Sequence, residues 1–156
     1  MALRNIIKEG DPALRKIARP VGEVTDRIRV ILDDMVETMH ANNGVGLAAP
    51  QVGIIRRMFV CEPEPGRVVC MVDPEILSEE GSQECEEGCL SVPGYVGTVT
   101  RPKKVTVKYK DRDGAECTMD AEDFAANVVC HEYDHLDGIL YVDKARNVHI
   151  PEEDDD

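Results

Sequence analysis

The sequence predicts an α+β fold in which antiparallel or mixed sheets pack around a central helix, with a further helix near the N-terminus. A helical pattern lies early in the chain, strand patterns fill its middle, and a second helical pattern with the HExxH spacing follows late. With 156 residues, 42% of them hydrophobic, the chain can bury one core. We expect a single domain over residues 1–150 and a disordered acidic tail over 151–156.

The first helix is predicted over residues 26–44. Thr25 or Asp26 can cap its start, and Gly44 offers a stop. The helix is amphipathic, so we expect it to pack on the core. Its apolar positions recur at helical spacing and are Ile28, Leu32, Met35 and Met39.

Strands are predicted in the middle of the chain. Residues 56–62 (RRMFVCE) and 67–73 (RVVCMVD) are rich in Val, Phe and Met, and each is expected to end at a segment containing proline. Residues 104–120 predict a hairpin, because Val105, Val107 and Tyr109 alternate with polar residues and DRDG supplies the turn.

The second helix is predicted over residues 121–137, with Asp120 as its cap and Gly138 at its end. Four of its side chains share one stripe, which we expect to face the core: Phe124, Val128, His131 and His135. Burying two histidines is costly unless their nitrogens have partners.

Charge and composition exclude several kinds of partner. The formal charge is −13 and the pI is about 4.7, so we expect no direct binding to nucleic acid. No stretch approaches the roughly 18 apolar residues of a membrane span, and the start lacks the layout of a signal peptide. We therefore expect a cytoplasmic protein without membrane contact, whose six cysteines stay reduced.

The motif HEYDH, residues 131–135, indicates a metal centre. His131 and His135 are one helical turn apart, about 5.4 Å, and can bind one cation together. Glu132 points about 100° away around the helix axis and can act on a water molecule beside the ion without binding the metal. Asp134 and Asp137 could orient His131 or be solvated.

A third ligand must come from elsewhere, and Cys89 in the loop EGCLS is the best candidate. Cys, His and His would leave a position open for chemistry. Two alternatives stay open. Cys85 could join Cys89 and the histidines in a closed structural zinc site, or the histidines could be core residues whose nitrogens the protein itself satisfies.

Three motifs in this order, GVGLAAPQ at 44–51, EGCLS at 87–91 and HEYDH at 131–135, resemble the peptide deformylase family. The likeness extends from about residue 11 to 143. It implies an enzyme that removes the formyl group from the N-terminal methionine of new proteins and releases formate. A general HExxH endopeptidase is the alternative, but it gives Cys89 and the Gln51 loop no role.

The resemblance also implies roles for individual residues. Cys89, His131 and His135 would bind the metal, and Glu132 would be the general base and later the acid. Gln51 and the backbone N–H of Leu90 would form the oxyanion hole. The other implied sites are backbone groups of Val45, Gly46 and Gly88 for an extended peptide, and Arg101, which would brace the cysteine loop through Glu87.

Selectivity for methionine requires an apolar pocket beside the metal, for which Phe124 and Val128 are our candidates. The resemblance implies Fe²⁺ as the metal, and the ligand set would also accept Zn²⁺, Ni²⁺ or Co²⁺. The expected partners are N-formylmethionyl peptides and nascent chains, and the expected oligomeric state is a monomer.

Overall fold

A computed structural model describes residues 2–151. Within this range, two α-helices and eight strands confirm the predicted α+β class, and the named strands all pair antiparallel. The predicted tail, 151–156, lies outside the described residues except for Pro151. No helix of the described part of the chain is both long and apolar enough to cross a membrane.

The strands form two sheets. A five-stranded sheet has the order β1-β2-β3-β6-β7, and a three-stranded sheet has the order β4-β5-β8. The helices are α1 (Asp26–Ala41) and α2 (Phe124–Leu136). The strands are β1 (Gly46–Ala48), β2 (Met58–Glu64), β3 (Arg67–Glu80), β4 (Gln83–Cys89), β5 (Val92–Arg101), β6 (Lys104–Lys110), β7 (Glu116–Glu122) and β8 (Arg146–His149).

The two helices cover opposite faces of the five-stranded sheet. Successive side chains of a strand point to opposite faces, and along β2 Met58 and Val60 pack in the cluster that includes α1. Phe59 and Cys61 pack in the cluster that includes α2. The sheet is therefore buried on both sides at β2. A third cluster beside the three-stranded sheet contains Leu14, Val92, Val99, Leu140 and Tyr141.

Helix α1 confirms the predicted cap and stripe. The Thr25 hydroxyl accepts a hydrogen bond from Ile28 N at 3.3 Å, and Leu32, Met35 and Met39 are fully buried. The helix ends at Ala41, three residues before Gly44.

Strand β3 corrects the expectation that proline ends the strand near residue 73. It continues through Pro74 to Glu80, with a register shift between Val72 and Glu75 opposite β6. Asp73 takes a positive φ of 49° there. The irregularity removes the demand for a ladder N–H that proline cannot supply, so the strand resumes beyond it.

The start of α2 corrects a second expectation. Asp120 is no helix cap, because it lies inside β7 and pairs with Thr106 of β6. Strand pairing continues to Glu122, and Asp123, at φ 54°, reverses the chain into the helix. The hairpin's turn at 111–114 and the stop at Gly138 (φ 74°) are as predicted.

Candidate metal centre

Three potential metal ligands meet where α2 faces the end of β4. The ligand atoms of Cys89, His131 and His135 all lie within 4.8 Å of one another. His131 and His135 come from successive turns of α2, and Cys89 is the last residue of β4. The helix thus supplies two ligands from one side and the strand supplies the third from the other.

This donor set fits a single divalent cation. Cys89 Sγ and His135 Nε2 are 3.4 Å apart, close to the roughly 3.6 Å that separates a sulfur and a nitrogen ligand around a tetrahedral zinc ion. The rings of His131 and His135 are 5.1 Å apart and nearly perpendicular. One thiolate and two imidazoles suit a borderline transition metal, and three protein ligands leave room for a substrate or water.

A chain of buried charges orients His131. Its Nδ1 is 2.7 Å from Glu87 Oε1, which leaves Nε2 available to a metal. Arg101 donates to both oxygens of Glu87 at 2.8 Å and to Asp134 at 2.6 Å. Burial alone would raise the pKa of Glu87, but hydrogen bonds from Arg101 and His131 lower it to about 2.

Glu132 lies beside the ligands with one oxygen free. Its Oε1 is buried and has no hydrogen-bond partner among residues 2–151, while Oε2 is 3.8 Å from His131 Nε2. Burial raises the pKa of Glu132 to about 7. A carboxylate with this pKa can both accept and return a proton near neutral pH.

Gly46 leaves the space that the Glu132 carboxylate occupies. A Cβ atom at residue 46 would lie 2.4 Å from Glu132 Oε2, well inside contact distance. Gly46 also begins β1, whose residues pair with β2. Here the backbone of β1 and the carboxylate of α2 approach each other because glycine has no side chain.

The Gln51 side chain is held on three sides. Its Oε1 accepts from Ala48 N at 2.9 Å, and its Nε2 donates to Ser91 Oγ at 3.0 Å. Nε2 is also 3.5 Å from Cys89 Sγ. Ser91 therefore accepts from one N–H of the amide, and the other N–H is directed towards Cys89 Sγ.

The N-terminal segment forms backbone hydrogen bonds with both Gln51 and Ser91. The sequence analysis did not predict this connection. Ile7 N donates to Gln51 O at 2.7 Å, and Glu9 N donates to Ser91 O at 2.8 Å. Ser91 is fully buried. A serine inside the motif EGCLS was the available signal for its role, because a buried hydroxyl needs a partner.

The Cys89 region differs from the expected loop. Residues 83–101 form the β4–β5 hairpin, and Leu90 and Ser91 are the two residues between its strands. Neither strand is part of the predicted set. Cys89 is positioned by a strand end and a tight turn, and Leu90 lies at that turn.

A cavity of about 490 Å³ opens beside Cys89, His131 and Glu132, which are among its lining residues. The residues that line it include Val45, Gly46, Gly88, Phe124 and Val128. The structure thus brings together all five residues proposed to contact a peptide. Phe124, however, is 51% exposed and lies at the mouth of the cavity, so its predicted place on the core stripe is wrong.

This geometry does not match the two alternatives from the sequence, which were a closed zinc site that includes Cys85 and a pair of histidines satisfied by the core. Cys85 is buried in β4 and is not one of the three clustered ligands. His135 Nδ1 is buried without a partner among the described residues, unlike a histidine satisfied by the core. Asp134 and Asp137 bind Arg101 and Arg57, while Glu87 is the residue that orients His131.

Comparisons with known proteins agree with one another. The sequence model of the family described as polypeptide deformylase matches residues 3–150. Peptide deformylase of Thermoanaerobacter pseudethanolicus is 52% identical over 145 residues, which cover 93% of this chain and 91% of the relative. The peptide deformylase of Caldanaerobacter subterraneus is 54% identical over 92% of this chain and 90% of the relative.

Solved structures show the same likeness. The crystal structure of peptide deformylase from Thermotoga maritima has a TM-score of 0.90 at 40% identity, covering 92% of this chain and 98% of that one. A peptide deformylase from Synechococcus elongatus in complex with actinonin has a TM-score of 0.88 at 37% identity, over 92% and 79% of the two chains.

Proposed function

The chain belongs to the polypeptide deformylase family, and from that premise we propose which of its residues remove the formyl group from N-terminal formylmethionine. The reaction is the hydrolysis of a formamide, which releases formate and a free amine. The observation that carries the assignment is the meeting of Cys89, His131 and His135 beside the unpartnered oxygen of Glu132.

Cys89, His131 and His135 hold the metal in this proposal, and Glu87 with Arg101 keeps His131 in position. A bound divalent cation supplies Lewis acidity and lowers the pKa of a water molecule towards neutrality. The proposed ion is Fe²⁺, and Zn²⁺, Ni²⁺ and Co²⁺ are substitutes that the same donors accept.

Glu132 accepts the proton of the attacking water in this proposal and returns it to the leaving amine. The free Oε1 and the raised pKa of Glu132 support both steps. Negative charge develops on the formyl oxygen as water adds. Gln51 Nε2 and the backbone N–H of Leu90 are the proposed donors to that oxygen, and each such donor is worth about 3 kcal/mol in an oxyanion hole.

The peptide would extend along the free edge of β1. Glu62 N donates to Val45 O, and hydrogen-bonded pairs alternate along an antiparallel ladder. The Gly46 N–H and C=O consequently point away from β2 and towards the cavity, which supports a strand-like substrate pairing at Gly46. Gly88 also lines the cavity.

The wall near the metal would hold the methionine side chain, with Val128 buried and Phe124 at the entrance. The proposed substrates are formylmethionyl peptides and nascent chains. The peptide extends from the cavity mouth, where Tyr95 and Val45 are each 46% exposed.

The test is anaerobic loading with Fe²⁺ and measurement of formate from a formylmethionyl tripeptide. We expect formate from the wild type, a loss of at least about 100-fold in Glu132→Gln, and loss of bound metal in Cys89→Ala. Glu132→Gln should retain its metal, which distinguishes the role of a general base from that of a metal ligand. Folded, metal-loaded wild type without formate release would refute the proposal, and cleavage of casein would favour an endopeptidase instead.

Parallel loading with Zn²⁺, Ni²⁺ and Co²⁺ tests the choice of ion. We expect activity with each, and loss of activity on exposure to air for the Fe²⁺ form alone. A protein isolated without oxygen that contains Zn²⁺ and no iron would overturn the assignment of Fe²⁺.

A further inference from the structure

Tyr141 is a buried aromatic residue beside the metal centre, and the proposed function gives it no role. It begins the short 3₁₀ helix Tyr141–Asp143 that follows α2, and it is 1% exposed. The centroid of its ring lies 6.1 Å from that of His131, and the two ring planes are inclined by 26°. This is the offset-stacked arrangement of aromatic pairs, so a tyrosine ring covers one face of a proposed metal ligand.

The hydrogen bond between His131 and Glu87 does not fully fix the His131 ring. It places Nδ1 at 2.7 Å from Glu87 Oε1, but one hydrogen bond tolerates a range of angles. The χ2 torsion of histidine is broad, so the ring can still swing and displace Nε2. The His135 ring stands at 71° to that of His131 and does not lie flat against it. The stacked ring of Tyr141 is the contact that limits this swing.

Tyr141 is itself held in place. Its hydroxyl donates to Tyr95 O at 3.1 Å, which ties it to β5. Cys89 packs against the apolar cluster that contains Tyr141, so the same cluster contacts two of the three proposed ligands. The other buried members of this cluster are Leu14, Val92, Val99 and Leu140.

We propose that Tyr141 is a positioning residue of the metal centre, whose ring holds the imidazole plane of His131 so that Nε2 stays beside Cys89 and His135. Glu87 determines which nitrogen of His131 carries the proton, and Tyr141 determines the plane of the ring. The inference rests on the proposed function, because it requires that the three ligands bind an ion. A tyrosine that only filled the core would stabilise the fold without changing the affinity for metal.

The test compares Tyr141→Phe, which keeps a ring, with Tyr141→Leu, which removes it. Leu14→Ala is the matched control, because it opens a cavity in the same cluster without removing a ring. Each protein is loaded with Co²⁺ without oxygen and titrated with a chelator, which measures metal affinity. The visible absorption of the bound Co²⁺ reports the geometry of its ligands, and urea unfolding of the metal-free proteins measures stability.

We expect Tyr141→Phe to bind Co²⁺ within about twofold of the wild type and with the same spectrum, because the stacked ring is retained. Tyr141→Leu should lose about tenfold in affinity, as the loss of an outer contact to a ligand does, and its Co²⁺ spectrum should change. Tyr141→Leu and Leu14→Ala should both unfold at lower urea concentration than the wild type. Leu14→Ala should keep the affinity and the spectrum of the wild type.

Wild-type affinity and spectrum in folded Tyr141→Leu would overturn the inference, since Tyr141 would then only fill the core. An equal loss of affinity in Leu14→Ala would assign the effect to general loosening of the cluster, and an equal loss in Tyr141→Phe would assign it to the hydroxyl. If Tyr141→Leu does not fold, Tyr141→Met takes its place, because methionine fills irregular space without a planar ring. Failure of the proposed ligand set looks different, because the wild type itself would then bind no Co²⁺.

Discussion

Helices α1 and α2 cover opposite faces of the same sheet, yet they bury very different side chains. The buried stripe of α1 is apolar, with Leu32, Met35 and Met39 fully enclosed. The buried face of α2 includes His131 and Glu132. Fold stability requires only the first kind of face, because apolar side chains need no partners.

The difference extends to how the polar groups of each helix are satisfied. On α1, the buried Asp34 accepts from Ala2 N at 2.8 Å and from Arg4 Nε at 3.1 Å. On α2, Glu132 Oε1 and His135 Nδ1 are buried without partners among residues 2–151. Among the described residues of α1, Glu37 Oε2 is the one buried side-chain atom without a partner. Unsatisfied polar atoms are costly to a fold, and those of α2 lie at the candidate metal ligands, which identifies the face of the protein used for chemistry.

Each helix is also tied to the sheets by an arginine–aspartate pair, and the two pairs differ in burial. Arg101 and Asp134 of α2 have side chains 3% and 13% exposed. Arg112 and Asp33 of α1 have side chains 44% and 28% exposed. The same chemical pair should therefore contribute very differently to stability at the two sites.

Arg101→Met should have the largest effect. It leaves Glu87 as a buried charge without its main partner, and breaking such a pair costs about 3 to 5 kcal/mol. His131 also loses its fixed orientation, so metal affinity should fall by about 10-fold to 100-fold. Urea unfolding at fixed metal concentration and competition with a chelator measure the two losses.

The control for this prediction is the double variant Arg101→Met with Glu87→Gln. Neutralising the buried carboxylate should recover much of the lost stability without recovering metal affinity. Equal unfolding free energies for the two variants would show that the buried charge is not the cause.

Met35→Ala removes the centre of the apolar face of α1. The cavity left behind should cost about 2 to 5 kcal/mol, while kcat per folded molecule stays at the wild-type value because the site lies across the sheet. Val30→Ala, at a position 55% exposed, is the matched control and should change stability little. A lower kcat in folded Met35→Ala would show that the two faces are coupled.

Gly46→Ala tests the buried face of α2 that carries Glu132 and the two histidines, and it does so without removing a charge. The new Cβ would lie 2.4 Å from Glu132 Oε2, so the carboxylate must move. A displacement of about 1 Å at a catalytic group costs about 100-fold in rate. We expect kcat to fall with metal content unchanged. A normal kcat would mean that Glu132 does not act from its observed position.

The sequence predicts α1 and the ligand pair of α2 well because both depend on local periodicity. Helical spacing alone places Met35 on the core side and His131 beside His135. The start of α2 is less accessible, because Asp120 has suitable capping chemistry but is held in β7 by pairing with Thr106. Pairing across the sheet outweighs the local preference of the aspartate.

Strand β4 is harder to predict because one of its two buried positions is a charged residue. The inward residues of β4 are Cys85 and Glu87, so the usual alternation of apolar and polar residues is missing. Glu87 can be buried only because Arg101, 14 residues away, pairs with it. That partner is set by the hairpin register, which no local pattern reveals.

The smallest effect is expected at the exposed pair of α1. Arg112 binds Asp33 with two bonds of 2.7 Å, but solvent screens both charges, so Arg112→Gln should reduce stability only slightly. The hydrogen bond from Arg112 lowers the pKa of Asp33 in the folded state. A carboxyl with a lowered pKa stabilises the fold above its unfolded pKa of about 4 and stops doing so as pH falls through the folded value. The difference in unfolding free energy between wild type and Arg112→Gln should therefore be present at neutral pH, shrink as pH falls below about 4, and decrease in high salt.

Urea unfolding of both proteins across this pH range measures that difference. A difference as large as that of Arg101→Met would contradict the comparison, because the exposed pair would then contribute as much as the buried one.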